Sequence, residues 1–327
     1  MTAIEPTFTC AIDQSPHESL EALHKHLRSK LKVTQEVYYN IHVPRLDRFT
    51  GEPIPFKAPA AEYLKREFKD KHTLKRWLKE RPEEGRDWAL DWLAKRVVEK
   101  GLTHAPCHVE LRSLACPSTD YYEENFEGGW AGVCEWAGLQ TRFGGQLPEP
   151  SALPCPVVID TREQKPLKLP VESVGGTLRS ADYGLPAEHD QLVYIERKSM
   201  LDLIGTLSAR ETREGDSNLA RFTRELERVT EIGAYVVMLV EQSLSDCLAY
   251  DTIPHLKRVT SHVKVGPEHV FYNLRALFHQ FPYSFQALFV DGRTEAARAV
   301  VRVLASGEAV KRCDLQLIYD RKELVLA

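Results

Sequence analysis

Long apolar runs are missing from this 327-residue chain. None approaches the roughly 20 residues of a membrane-spanning helix, so no membrane partner is expected. The opening MTAIEPTFTC lacks a basic stretch followed by an apolar one, and no secretory signal is expected either. A surplus of one charge is also missing. Forty-three Lys and Arg stand against 47 Asp and Glu, a formal net charge of −4. No global basic field therefore marks a nucleic-acid binder, and any such surface has to be local. The seven cysteines, at positions 10, 107, 116, 134, 155, 247 and 313, are odd in number and scattered. Without an export signal they read as reduced thiols in a cytoplasmic protein. The remaining composition, 43% hydrophobic and 28% charged, suits a globular chain of two or three domains.

Tryptophan is lacking from the C-terminal half. All five (Trp77, Trp88, Trp92, Trp130 and Trp136) precede residue 150, and FGGQLPEPSALPCP beside it is rich in Gly and Pro. This divides the chain into an N-terminal region (1–86), a helical block (87–142), a linker (143–155), an α/β domain (156–310) and a tail (311–327). The alternation in KRCDLQLIYDRKELVLA reads as a hairpin. In the N-terminal region LEALHKHLRSKL reads as a helix and EVYYNIHV as strand. Residues 59–80, PAAEYLKREFKDKHTLKRWLKE, read as one helix with Leu64, Phe68, Leu74, Trp77 and Leu78 on its apolar side. Lys65, Arg66, Lys69, Lys71, Lys75, Arg76 and Lys79 crowd the other faces, as a solvated surface or as a phosphate-contacting one.

In the helical block, DWALDWLAKRVVEKG reads as a helix stopped by Gly101, Ser118 as an N-cap, and GGWAGVCEWAGL as a short helix ending at Gly138. Pro117, Ser118, Phe126, Gly129, Trp130, Ala137, Gly138 and Leu139 follow a P-S-x(7)-F-x-x-G-W-x(5)-W-A-G-L pattern. That pattern resembles the small three-helix repeats that accompany HNH homing endonucleases, which implies DNA binding. A plain helical mini-domain would want Phe126, Trp130 and Leu139 in its core as well. His104, Cys107, His108, Cys116 and Cys134 raise the question of zinc, but paired C-x-x-C knuckles are absent and buried thiols are the simpler account.

From 156 onward strands and helices alternate, which predicts an α/β domain with a mixed central sheet flanked by helices. PVVID, QLVYIER, YVVMLVE and FQALFVD read as strands, with SADYGL at the start or turn of another. In VYIERKSMLDL the strand period of two places Glu196 and Lys198 on one face and Arg197 on the other. A carboxylate beside an ammonium at a strand end can hold a hard cation and orient water or stabilise phosphate charge. Asp160 ends VVID and Asp182 lies in ADYG. Three carboxylates on neighbouring strand ends with one lysine suit Mg²⁺-assisted phosphodiester hydrolysis.

VVIDTREQKP, SADYGL and VYIERKSMLDLIGTL together resemble the nuclease domain of XPF-type (XPF/Mus/Hef-like) structure-specific endonucleases, built on a PD-(D/E)xK core. The resemblance covers about 155–307. It implies a Mg²⁺- or Mn²⁺-dependent endonuclease acting on branched or otherwise structured DNA in repair, recombination or mobile-element biology. It implies Asp182 and Glu196 as the central metal ligands, with Asp160 and Glu163 completing the acidic cluster, and Lys198 as the catalytic lysine. Arg162, Arg197 and Asp202 fall at supporting motif positions, and Arg221 lies on a helix fitting the family's arrangement. Each has a plainer reading: Arg162 and Glu163 as a surface pair, Arg197 as a structural ion pair, Asp182 as a turn residue, Asp202 as part of a helix cap with Ser199. Two departures stand out. The glycine of the family's G-D-Y is Ala181 here, and the tandem helix-hairpin-helix motifs that often follow the domain are replaced by about twenty residues. A homodimer through the nuclease domain stays open. DNA would then be held by the N-terminal half, with Lys65, Arg66, Lys69, Lys75 and Arg76 as candidates, and the alternative is an inactive DNA-binding scaffold on a nuclease fold.

Overall fold

Strands buried on both sides set the architecture of the larger part of the chain. The computed structural model describes residues 8–57, 59–208, 216–261 and 263–324. They divide into two compact units, Met1–Trp88 and Ala89–Ala327. The segment expected as a linker, 143–155, lies inside the second unit, where Leu147, Leu153 and Cys155 pack against the core. Among the described residues no helix is long and apolar enough to cross a membrane.

In the first unit the expected strand EVYYNIHV is instead a helix, Gln35–His42, whose start is capped by the Thr34 hydroxyl. Its β-favouring Val37 and Ile41 face solvent, while Tyr38 and Tyr39 fill the core with Leu23 and Ile54. The expected helix over 59–80 is two helices, Ala60–Tyr63 and Lys71–Glu80. Asp70 forms a capping box with Thr73 and so starts the second one afresh.

The helix expected before Gly101 is present as Pro82–Lys100, and the helical block continues in the second unit with α1 (His108–Ser113), α2 (Thr119–Asn125) and α3 (Gly129–Trp136). Gly101 and Gly138 take left-handed φ values of 59° and 68° just beyond helix ends, where a side chain would be strained. Trp130 packs on Tyr122 at 4.7 Å and Leu139 is buried, so this motif's apolar residues serve its core. The block is joined to the sheet layers, since Cys107 and Val109 share a core with sheet residues such as Tyr194 and Phe285.

Six strands form the central sheet: β1 (Val157–Asp160), β2 (Ser173–Gly176), β3 (Tyr183–Gly184), β4 (Val193–Lys198), β5 (Tyr235–Val240) and β6 (Phe285–Phe289). Their order is β6-β5-β4-β3-β1-β2. Only β3 is reversed, antiparallel to β1 and to β4, while β1–β2, β4–β5 and β5–β6 are parallel. The start of β3 therefore lies at the same sheet end as the finish of β1 and β4. Helices α4 (Met200–Leu207), α5 (Asn218–Glu231) and α6 (Pro267–Gln280) cover the face carrying Tyr194, Val236, Met238 and Phe285. Helix α7 (Arg293–Ser306) covers the face carrying Val193, Ile195, Val237 and Leu239. β5, buried along its whole length, runs between these layers as its continuous apolar sequence requires.

The tail is not a hairpin. It forms helix α8 (Leu315–Asp320), with Asp314 capping its start at Leu317 N. Leu315 and Tyr319, four residues apart, turn the apolar side of that helix to the core, so the apparent alternation was a helical stripe. Residues 325–327 of the expected hairpin lie outside the described residues. The tail also covers the outer edge of β6. Phe289 N donates to Gln316 Oε1 at 2.7 Å, Gln316 Nε2 returns a bond to Phe289 O at 3.3 Å, and Arg142 donates to Phe285 O.

A buried ion cluster ties α1 to this framework. Glu110, fully buried, accepts from Arg96 Nη2 at 2.9 Å and lies 3.2 Å from His279 Nε2 on α6. Burial opposes ionisation of Glu110, but His279 and Arg96 outweigh it and hold the carboxyl below its usual range. Glu110→Gln is expected to destabilise the fold at neutral pH by about 3 kcal/mol, since it removes the buried negative charge that Arg96 and His279 both face. Because the folded value is lowered, this contribution is complete above the unfolded carboxyl value near ~4.3 and vanishes as pH falls through the folded one. Urea unfolding of both proteins across acidic pH should show the gap closing. A gap that stays constant contradicts the assignment.

Candidate active site

β4 is central and apolar up to Ile195, and then delivers its three charged residues to the sheet end where β1 finishes and β3 starts. Alternation divides them as the sequence requires. Lys198 Nζ donates to Glu196 Oε1 at 2.6 Å on the face covered by α4 and α5, and lies 5.8 Å from the Phe222 ring. Arg197 points to the α7 face and is buried. It makes a two-pronged pair with Glu163, at 3.0 and 3.1 Å, and a third bond to Glu241 at 3.3 Å. Arg293, from the start of α7, donates to the same Glu241 oxygen at 2.8 Å. The arginine is thus a structural ion pair behind the site, and its removal would leave the buried Glu163 carboxylate without its two-pronged partner while Glu241 kept Arg293.

Asp160 is almost fully buried and has both oxygens in use. Arg162 donates from its amide (2.9 Å), Nε (2.6 Å) and Nη2 (3.0 Å), and the Leu178 amide donates at 2.8 Å. The bonds from Arg162, acting against burial, hold Asp160 well below the usual carboxylate range. Asp160 therefore fastens the loop before β3 to the end of β1.

Asp182 stands differently. Its amide donates to Ile195 O at 2.9 Å and its carbonyl accepts from Asp160 N at 2.8 Å. Its Oδ2 accepts from the Arg197 amide at 2.8 Å. Burial and the facing Glu196 carboxylate push Asp182 up to about 7. Burial raises Glu196 too, against the nearby Lys198 and with the charge of Glu225 adding to it. Two desolvated carboxylates with raised proton affinity make a place where positive charge is wanted.

Glu225, Glu241 and Arg293 were not identified from the sequence. Glu225 Oε1, on α5, accepts from Ser180 Oγ at 2.9 Å and Ala181 N at 3.4 Å. No local pattern marks these three, because their partners lie 44 or more residues away along the chain. With them, six carboxylates (Asp160, Glu163, Asp182, Glu196, Glu225, Glu241) face four cations (Arg162, Arg197, Lys198, Arg293) at this sheet end. Arg197 and Arg293 match Glu163 and Glu241, and Arg162 matches Asp160, so the excess lies on the Lys198 face with Asp182, Glu196 and Glu225.

The three expected ligands do not converge on one point. Among the described residues, Cys10, Asp13 and His26 are the group of three potential ligands with donor atoms within 4.8 Å of one another. Cys107, Cys116 and Cys134 do not form such a group either, and burial pushes the Cys134 thiol up to about 12. Asp202 takes the capping role: its amide donates to Ser199 Oγ at 3.2 Å and its carboxylate accepts from that hydroxyl at 2.6 Å. Arg221 is exposed on α5. In the first unit Lys69 pairs with Glu52 at 2.9 Å, Arg76 lies over the Phe49 ring at 4.6 Å, and Lys65 and Lys75 are exposed. Arg66 offers its carbonyl to Arg45. With the helix broken before Asp70, Lys65, Arg66 and Lys69 do not share one continuous helical face with Lys75 and Arg76.

Searches against protein-family models, curated proteins and solved structures gave no match.

Ala181 is buried with a left-handed φ of 62°. That conformation costs a side-chain-bearing residue about 1–2 kcal/mol. Ala181→Gly relieves the cost while losing a buried methyl, and should stay within about 1 kcal/mol of the parent. Ala181→Val adds a β-branch to the same backbone and should cost more than about 2 kcal/mol. Urea denaturation checks both, and equal effects would contradict the backbone account.

Proposed function

We propose that the chain is a metal-dependent DNA endonuclease with an XPF-like domain of the PD-(D/E)xK type. The observation that carries the reading is the pair Asp182–Glu196: desolvated, mutually repelling, and placed beside Lys198 at the end of a mixed sheet. Asp182 Oδ1 and Glu196 Oε2 have no hydrogen-bond donor among the described residues and suit a hard cation, Mg²⁺ or Mn²⁺. Such a cation, when bound, supplies Lewis-acid polarisation of a phosphodiester.

The other residues act by position and charge. Lys198 Nζ, held by Glu196, is placed to orient an attacking water or to stabilise charge growing on phosphate oxygen. Asp160, through Arg162 and Leu178 N, fixes the loop that presents Asp182. Glu163, Arg197 and Glu241 fix the ends of β1, β4 and β5 from the opposite face. Arg162 keeps most of its side chain exposed (70%) while bonded to Asp160, so its guanidinium is also available to a DNA phosphate.

Cleavage of duplex, flap, fork, Holliday-junction and single-stranded DNA with Mg²⁺ or with EDTA tests the reading. Asp182→Asn is expected to lower cleavage at least about a hundredfold, at nearly unchanged volume, fold and DNA affinity. Lys198→Ala is expected to lose cleavage comparably but to keep metal binding by calorimetry. Substantial activity in folded Asp182→Asn protein would reject this site. Loss of metal binding in Lys198→Ala would reject the division of roles.

A further inference from the structure

In the first unit, a short hairpin and the helix after it bring together donors that the nuclease reading does not use. Phe8–Thr9 pairs antiparallel with Pro16–His17. Between them the chain turns tightly: Cys10 N donates to Ser15 O at 2.9 Å and Gln14 N to Cys10 O at 2.9 Å. This turn carries Cys10, Asp13 and Ser15, and the helix Leu20–His26 brings in His26. One ligand atom from each of Cys10, Asp13 and His26 lies within 4.8 Å of the other two.

A carboxylate–histidine pair alone would account for part of this. Asp13 Oδ1 holds the turn through Ser15 N and Oγ, and His26 Nε2 lies 2.8 Å from Oδ2. It does not account for a fully buried cysteine whose sulfur lies within 4.8 Å of the same carboxylate. A second imidazole is also at hand. His17 Nε2 is 3.0 Å from Ser15 Oγ, which is 3.3 Å from His26 Nε2, and the two imidazole centroids are 4.7 Å apart.

We infer that Cys10, Asp13 and His26, with His17 as fourth donor, form a structural zinc site in the first unit. Sulfur with imidazole nitrogen selects zinc over the hard cations suited to Asp182 and Glu196. Tetrahedral zinc holds its donors about 3.3–3.6 Å apart, so Cys10, Asp13 and His26, within 4.8 Å of one another, have to close up slightly, and His17 has to turn in from its contact with Ser15 Oγ. The ion replaces the proton on the Cys10 sulfur, which leaves to solvent. A proton on His26 Nε2 moves to Nδ1, freeing Nε2 to bind. The four donors together satisfy the closed coordination of a structural site, which fastens the hairpin to the helix over a core that includes Cys10, Leu23 and Leu27.

The test uses the full chain carrying Asp182→Asn and Glu196→Gln, so that metal at the sheet end does not contribute. Stoichiometric zinc is expected after dialysis, together with a higher thermal midpoint than in chelator-treated protein. Cobalt(II) in its place should give a sulfur-to-cobalt charge-transfer band and the intense visible bands of four-coordinate cobalt. Cys10→Ser should abolish the charge-transfer band, and both Cys10→Ser and His26→Gln should weaken zinc about a hundredfold or more. His17→Gln tests the fourth donor. Absence of the charge-transfer band in the parent overturns the site without any further variant, and so does its persistence in Cys10→Ser.

Discussion

The arrangement at the sheet end depends on where one guanidinium is placed. Arg197 leaves β4 on the α7 side and neutralises Glu163 and Glu241 there. Its amide, on the same residue, donates to Asp182. One residue therefore quiets the acids behind the sheet and aims an acid in front of it. With Arg197 committed, Lys198 is the cation left for Asp182 and Glu196, and an ammonium 2.6 Å from one of them does not cancel both. The unbalanced charge on that face follows from strand alternation and not from any accident of loop structure.

The reversal of β3 is the second requirement. A strand running parallel to its neighbours would put Asp182 at the far end of the sheet. Reversed, it begins where β1 and β4 finish, and its first contacts are the Asp160 amide and the Ile195 carbonyl. Glu225 secures that start by accepting from Ser180 and from the amide of Ala181. The left-handed alanine is thus bound directly to an acid that also bears on Glu196, so backbone strain and site electrostatics meet at one turn.

What could be read from the sequence was what repeats with a short period. VYIERK shows its two faces in six residues, YVVMLVE shows a doubly covered strand, and Ser199 with Asp202 shows a helix start. The misread elements had patterns that mimicked another period. KRCDLQLIYD alternates over a few positions, yet Asp314 caps it and the spacing of Leu315 and Tyr319 is helical. EVYYNIHV is rich in strand formers, but Thr34 caps a helix whose aromatic pair faces inward. The basic stretch of 65–76 looked continuous only because the capping role of Asp70 was not given weight. Glu225, Glu241 and Arg293 had no local signal at all. Their partners are set by the sheet order, which short-range spacing does not encode.

The covered rim of β6 has a consequence for how the molecule can associate. A sheet grows by offering unpaired amides and carbonyls to another chain, and on this rim the Phe289 amide and carbonyl and the Phe285 carbonyl are bonded to Gln316 and Arg142. Growth from that side would first require α8 to detach. The opposite rim is β2, a four-residue strand, Ser173–Gly176, that ends in two glycines and has Val174 exposed. A chain that adds a strand to this molecule therefore meets it there, and the sheet has one open side for misassembly instead of two.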